Sequence, residues 1–235
     1  MSRRLCLLLV LLAGGCVVSQ PAVRLELDWA RTVLLGAESG DVRTGVVRWE
    51  RPVHFLVVGA PVRMQLAAER AFGQLQAVLR GVHRLELEHV RATDPRVGQD
   101  GYVTIFPMAP RNAEELARRH NAQVPSHAAD GWFTIIWNLH YELTRAVVFI
   151  DPTLDEHWLR HTVLEEMFQS LGPSNDSGRI RDSLVFEGGL SVGSHTRLAR
   201  VDEQVLSLLY HDLQPGDTAR DIERAMLRSW RFVRS

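Results

Sequence analysis

Cysteine is almost absent from this chain. Of 235 residues only Cys6 and Cys16 are cysteine, so a disulfide-stapled fold is excluded for everything that follows them. The fold must stand on an apolar core, and 46% of the residues are hydrophobic. No stretch after the first sixteen residues approaches the ~18 unbroken apolar residues that a membrane-spanning helix needs. Net charge is −1, which gives no basic surplus for holding nucleic acid. Internal repeats and low-complexity tracts are missing too. So are a phosphate-binding glycine loop followed by Lys-Ser/Thr and any cysteine nucleophile beyond Cys16.

The N-terminus has the layout of an export signal. Arg3 and Arg4 supply positive charge, Leu5 to Leu12 form a short apolar run, and "LLAGGC" ends at Cys16. The small residues Ala13, Gly14 and Gly15 suit a signal peptidase, and Cys16 would carry the lipid. The expected organisation is a signal over 1–15, a lipid tether and linker over 16–48, and one folded domain over 49–235. The expected location is the bacterial cell envelope, lipid-anchored and facing the periplasm. Val17 after the cysteine gives no Asp-type retention signal, which favours outer-membrane sorting. An ordinary cleaved signal with an incidental cysteine is the alternative.

From Trp49 onward the pattern alternates between strands and helices. "PVHFLVVG", "HRLELEHV", "GYVTIFPM", "GWFTIIWNLH" and "RAVVFID" read as five strands. "PVRMQLAAERAFGQLQAVLRG" reads as a long helix with Pro near its start and Gly at its end. "NAEELARRHN" is a short helix with Asn112 in the capping place. "LDEHWLRHTVLEEMFQSLG" is a helix that Asp155 caps and Gly172 stops. "VDEQVLSLLYHDL" and "TARDIERAMLRSWRFVR" are the last two helices. Some strands follow each other too closely for a parallel crossover, so the fold class is α/β (α+β) with a mixed sheet.

The chemistry concentrates in "LEEMFQSLGPSND", Leu164 to Asp176. Its spacing is that of the zinc-protease signature H-E-x-x-H-x-x-G-x-x-H-D, but Glu165, Gln169 and Asn175 stand where the three ligand histidines belong. Glu166 stands where the general base belongs. At ~100° per residue, Val163, Leu164, Met167, Phe168 and Leu171 share an apolar side, and Glu165 and Gln169 lie opposite on what helix periodicity alone reads as a solvated face. One carboxylate and two neutral amides make a poor zinc site. His161 lies one turn before Glu165 and His157 one turn earlier. His195 and His211 follow the helix and are candidates to fold back as replacement ligands. His157, His161 and Glu165 recur every four residues and could form a metal face, with solvated or capping roles as the alternative. His161, His195 and His211, with Asp176, are the expected cleft or supporting residues.

"EEMFQSLGPSND" resembles the E-E-x-x-Q-x-L-G-x-x-N-D core of the DUF2927 family, a bacterial domain of unknown function found in exported lipoproteins. The resemblance runs over roughly Trp49 to Trp230, with echoes at Ser183 and in "LLYHDLQPG". It departs at "SLVFEGG" and at Asp217, where the family has other residues. The family looks like a divergent relative of the zincin (metzincin-like) peptidases. That implies a zincin-like mixed sheet, a motif helix beneath a cleft and a helical C-terminal part. It implies no established reaction.

Three functions stay open. The first is an envelope lipoprotein whose degenerate cleft binds a peptide, protein or glycan component, with "GWFTIIWN" or "RAVVFID" as the strand edge that accepts it. The second is an atypical metallopeptidase-like hydrolase in which Glu166 is the base and Glu165, Gln169 and Asn175 hold zinc or another divalent cation, or orient water with no metal. The third is a purely structural lipoprotein. Nucleic acid is not an expected partner; the membrane is, through the lipid on Cys16.

Overall fold

The computed structural model describes residues 20–36, 42–124, 130–187 and 195–231. The signal and lipidation site expected over 1–16 lie outside them. Five strands and six α-helices are present among the described residues. In chain order they are α1 (Gln20–Leu35), β1 (Val53–Val58), α2 (Val62–Leu79), β2 (Leu85–Val90), β3 (Tyr102–Pro107), α3 (Glu114–Arg119), β4 (Gly131–Trp137), β5 (Leu143–Ile150), α4 (Glu156–Gln169), α5 (Arg200–His211) and α6 (Ala219–Ser229).

The strands form one mixed sheet in the order β2-β1-β3-β5-β4. The first four positions are parallel and β4 runs antiparallel to β5. The reason is local. Only Asn138 to Glu142 separates β4 from β5, too short for a parallel crossover, and Asn138 closes the turn by accepting from the His140 and Glu142 backbone N–H groups. Elsewhere α2 carries the chain from β1 to β2, and α3 lies on the longer path between β3 and β4.

Each strand feeds two layers, as period 2 requires. Phe55, Val57, Val103, Ile105, Val148 and Ile150 face α2 and α4 in the main core. Val58, Phe106, Val147 and Phe149 face the other way and are covered by Ala113, Ala117 and Ala122 around α3. Burial on both faces is why β1 and β5 read as near-continuous apolar runs.

Two expectations need correcting here. The stretch 16–48 is not wholly a linker, because α1 lies in it. Trp29, Ala30, Val33 and Leu34 are buried in the core, and Trp29 packs on Trp230 with ring centroids 6.4 Å apart. Asn112 does not cap α3. Pro110 starts a one-turn 3₁₀ helix over Pro110–Asn112, so Ala113 becomes the residue that enters α3, with no side-chain cap.

The short segment after α1 closes three helix ends. The last carbonyls of a helix have no intrahelical donor and need one from elsewhere. Arg43 Nη2 donates to Leu34 O of α1 at 2.9 Å and to Gly172 O beyond α4 at 3.4 Å. Arg48 Nη1 donates to Leu209 O of α5 at 2.9 Å and to Leu213 O at 2.7 Å. Trp49 Nε1 donates to Ser170 O at 3.0 Å, at the end of α4. Tyr210 adds a fourth donor, its hydroxyl to Leu171 O at 2.9 Å.

Candidate functional site

The centre of interest is α4 and the chain that leaves it. Asp155 caps the helix, its Oδ1 accepting from the His157 and Trp158 N–H groups at 2.9 and 3.0 Å. Gly172 turns the chain after Gln169 with φ at +131°, and a Cβ there would lie 2.5 Å from Val47 O and 2.8 Å from Leu209 Cδ2. Only glycine meets both demands. The sharp exit returns Ser174, Asn175 and Asp176 alongside the helix.

The solvated-face expectation fails. His161 is 4% exposed, Glu166 5% and Gln169 1%, so α4 is enclosed on its polar side as well as its apolar side. Buried polar groups must be bonded, and these are. His161 Nε2 lies 3.1 Å from Glu165 Oε2, while its Nδ1 lies 2.7 Å from the His195 backbone carbonyl. A carbonyl can only accept, so Nδ1 carries a proton, and Nε2 meets the carboxylate. Burial lowers the His161 pKa, but the Glu165 hydrogen bond and charge, the His195 carbonyl and the Asp130 charge together raise it above the usual histidine value. The edge of the Trp158 ring covers the imidazole, centroids 5.9 Å apart.

The other two expected ligands are also engaged. Gln169 Nε2 donates to Asp176 Oδ1 at 2.7 Å. Asn175 Nδ2 donates to the Asp176 backbone carbonyl at 2.8 Å, and its carboxamide rests on Gly36, where a Cβ would lie 2.7 Å from Cγ. The three ligand positions therefore serve partners inside the protein, Glu165 pairing with His161 while Gln169 and Asn175 both bond Asp176. This donor set does not fit zinc. One carboxylate is ion-paired to an imidazole, and two amides use their N–H groups within the protein, where zinc favours imidazole and thiolate.

Of the histidines expected to fold back, His195 comes to α4, but through its backbone; its ring Nε2 sits 2.8 Å from Arg181 O. His211 ends α5 exposed. His157 is exposed, and His157, His161 and Glu165 do not gather their ligand atoms. Among the described residues one group of three His, Asp or Glu ligand atoms comes within 4.8 Å, namely His54, Glu86 and Glu88. It lies on β1 and β2, away from α4, and Glu88 is held there by Arg96 in a two-pronged pair at 2.9 and 2.8 Å.

Glu166 faces β4. A Cβ on Gly131 would lie 2.4 Å from Glu166 Oε1 and 2.4 Å from Thr162 Cγ2, so the first residue of β4 is a glycine because the α4 carboxylate occupies the space of a side chain. β4 is an edge strand. Asp151 N donates to Asp130 O at 2.8 Å across the register that pairs Gly131 with Ile150. Alternation then points the N–H and C=O groups of Gly131, Phe133 and Ile135 away from β5, toward the open side. No described strand pairs there.

A groove of about 340 Å³ runs along this edge, lined by Trp132, Ile136, Trp137, Gln123, Arg43 and Ser174 among others. Trp137 is 42% exposed, and the Arg43 guanidinium lies 5.9 Å from its ring centre. Sequence reasoning missed Arg43 and Gly131, although a glycine opening an apolar strand was a visible signal of close approach.

A family model described as "Protein of unknown function (DUF2927)" matches residues 28–228. The match begins inside α1 and so takes in the second half of the helix that had been expected to be linker. No curated protein matches the chain.

Proposed function

The chain belongs to the DUF2927 family, and from that premise we propose that it is a binding protein of the bacterial cell envelope, lipid-anchored through Cys16, that takes an extended peptide segment along β4. The spacing of the α4 motif and the antiparallel edge strand beside it support a zincin-like reading of the fold with the catalytic ligands given over to internal hydrogen bonds. One observation carries the proposal. The outward backbone groups of Gly131, Phe133 and Ile135 border a groove with apolar and aromatic walls, which is what strand addition uses: main-chain bonds for affinity and side pockets for selectivity.

The test uses proline at an outward N–H. Ile135→Pro removes a donor that β5 does not use, so the sheet is retained while an added strand loses a bond. Extended peptides selected on the wild-type protein are expected to lose binding to Ile135→Pro, with far-UV circular dichroism unchanged. Equal binding to both proteins, with the variant folded, refutes strand addition.

A second reading is favoured by the position of Glu166 at the start of the same edge strand: a hydrolase using Glu166 as base. Mass spectrometry of the bound peptides separates the two. Cleavage by wild type that is lost in Glu166→Gln replaces the binding reading with the catalytic one.

A further inference from the structure

On the far flank of α4 from β4 lies a second pocket, of about 430 Å³, between α2, α4 and the segment leading into α5. Arg70, Arg160 and Arg197 line it, one from each of these three elements, over a floor of Ala67, Ala71 and Leu164. Glu156 pairs with two of them, 3.7 Å from Arg70 Nη1 and in direct contact with Arg160. Three guanidinium groups against one carboxylate leave a local surplus of two positive charges on a chain whose net charge is −1. The Nε of Arg160 is buried and has no hydrogen-bond partner among the described residues.

The wall that carries Arg197 is fixed in place. Gln74 of α2 donates through Nε2 to Thr196 O at 3.2 Å and accepts from Leu198 N at 3.1 Å, so both neighbours of Arg197 are tied to α2. One residue earlier, the His195 carbonyl accepts a hydrogen bond from His161 Nδ1. The segment is thus pinned to both helices, and Arg197 projects from a fixed support. The floor alanines leave room between α2 and α4 that larger side chains would fill.

We propose that this pocket binds a phosphate group carried on a small organic or lipid body. A phosphate offers three or four acceptor oxygens to several guanidinium forks at once, which is the geometry arginine favours. The apolar floor suits the carbon moiety attached to it. The site is separate from the β4 groove and does not depend on the peptide-binding reading.

The test uses the full chain with inorganic phosphate, glycerol phosphate, and vesicles of phosphatidylglycerol in phosphatidylcholine as probes, with sodium chloride at equal ionic strength as reference. Phosphate or glycerol phosphate is expected to bind saturably, and the affinity is expected to fall about tenfold or more in Arg70→Gln/Arg197→Gln and in Arg160→Gln. Arg118→Gln, distant on α3, is expected to leave it unchanged. All these side chains are at least partly exposed, so melting temperatures serve to show that the variants fold. Binding of the soluble phosphates alone identifies a soluble phosphate ester. Vesicle binding that the pocket variants lose and glycerol phosphate competes away identifies a lipid headgroup. Absence of saturable binding to every probe overturns the proposal, and so does binding that all three pocket arginines can lose without effect.

Discussion

Replacing Gly131 by alanine tests the contact between edge strand and motif helix directly. The added methyl would sit 2.4 Å from Thr162 Cγ2 and 2.4 Å from Glu166 Oε1, and 3.1 Å from Glu166 Cδ. Carbon atoms in contact prefer about 3.5–4.0 Å, so the overlap with Thr162 exceeds roughly 1 Å. Neither neighbour can swing into solvent, because Thr162 and Glu166 are both buried. Overpacking of this kind costs about 1–3 kcal/mol. For a domain of this size each kcal/mol lowers the melting temperature by about 2–4 °C, so a fall of about 4–8 °C is expected near the middle of that range. Thr162→Ser removes one of the two clashing atoms. In the double variant Gly131→Ala/Thr162→Ser the penalties should therefore fail to add, with a coupling of about 0.5–1.5 kcal/mol in the favourable direction. Calorimetry and urea titration of the four proteins measure it. A melting temperature for Gly131→Ala within about 1 °C of wild type, or strictly additive penalties, would refute the claim that β4 and α4 touch through this glycine.

Three further outcomes concern protons. His161 has a raised pKa in the folded protein, so its pair with Glu165 stabilises fully below the unfolded value of about 6.5 and fades as pH rises through the folded one. The stability gap between wild type and Glu165→Gln should be widest below that pH and narrow above it, and NMR titration should show the His161 pKa falling in the variant; a gap that widens with pH contradicts the pairing. Burial pushes Asp202 up to about 6 despite accepting from Ser183, Leu184 and Ala199, so the native state holds its proton more tightly than the unfolded chain does. As pH rises from about 4 to 6, wild type should lose stability relative to Asp202→Asn, which cannot titrate, and parallel profiles would contradict this. Burial and the Arg48 charge lower His83 to about 4, beside the Tyr210 ring at 4.6 Å. Here the unfolded chain protonates first as pH drops from about 6.5 to 4, and His83→Phe should flatten that acid-side loss in a denaturant series.

The strands were legible in the sequence because each is a short run of apolar residues between turn signals, and the short link at Asn138–Glu142 already required one antiparallel pair. Gly172 and Asp155 announced the ends of α4. The polar side of α4 was misread for a physical reason. Periodicity tells which residues share a face, not what covers it, and the partners that make burial tolerable come from elsewhere: the His195 carbonyl, Asp176, and β4. α1 was hidden by its place in the chain. Trp29, Ala30, Val33 and Leu34 carry helical spacing, yet their burial depends on α6, nearly two hundred residues later. The three-arginine pocket was invisible because its walls join only when α2, α4 and the segment before α5 are assembled.

The donors of Arg43, Arg48 and Trp49 also govern the order in which the molecule can assemble. They close the ends of helices whose last residues lie at positions 35, 169 and 211, so most of those bonds span more than a hundred residues of chain. The C-terminal carbonyls of α4 and α5 stay hydrated until this one segment packs against them. Contacts of such long sequence separation slow folding and tie the parts into a single cooperative unit. A chain that begins after Trp49 should therefore yield no stable subdomain, and during synthesis Arg48 must wait for α5 to emerge before its bonds to Leu209 and Leu213 can form.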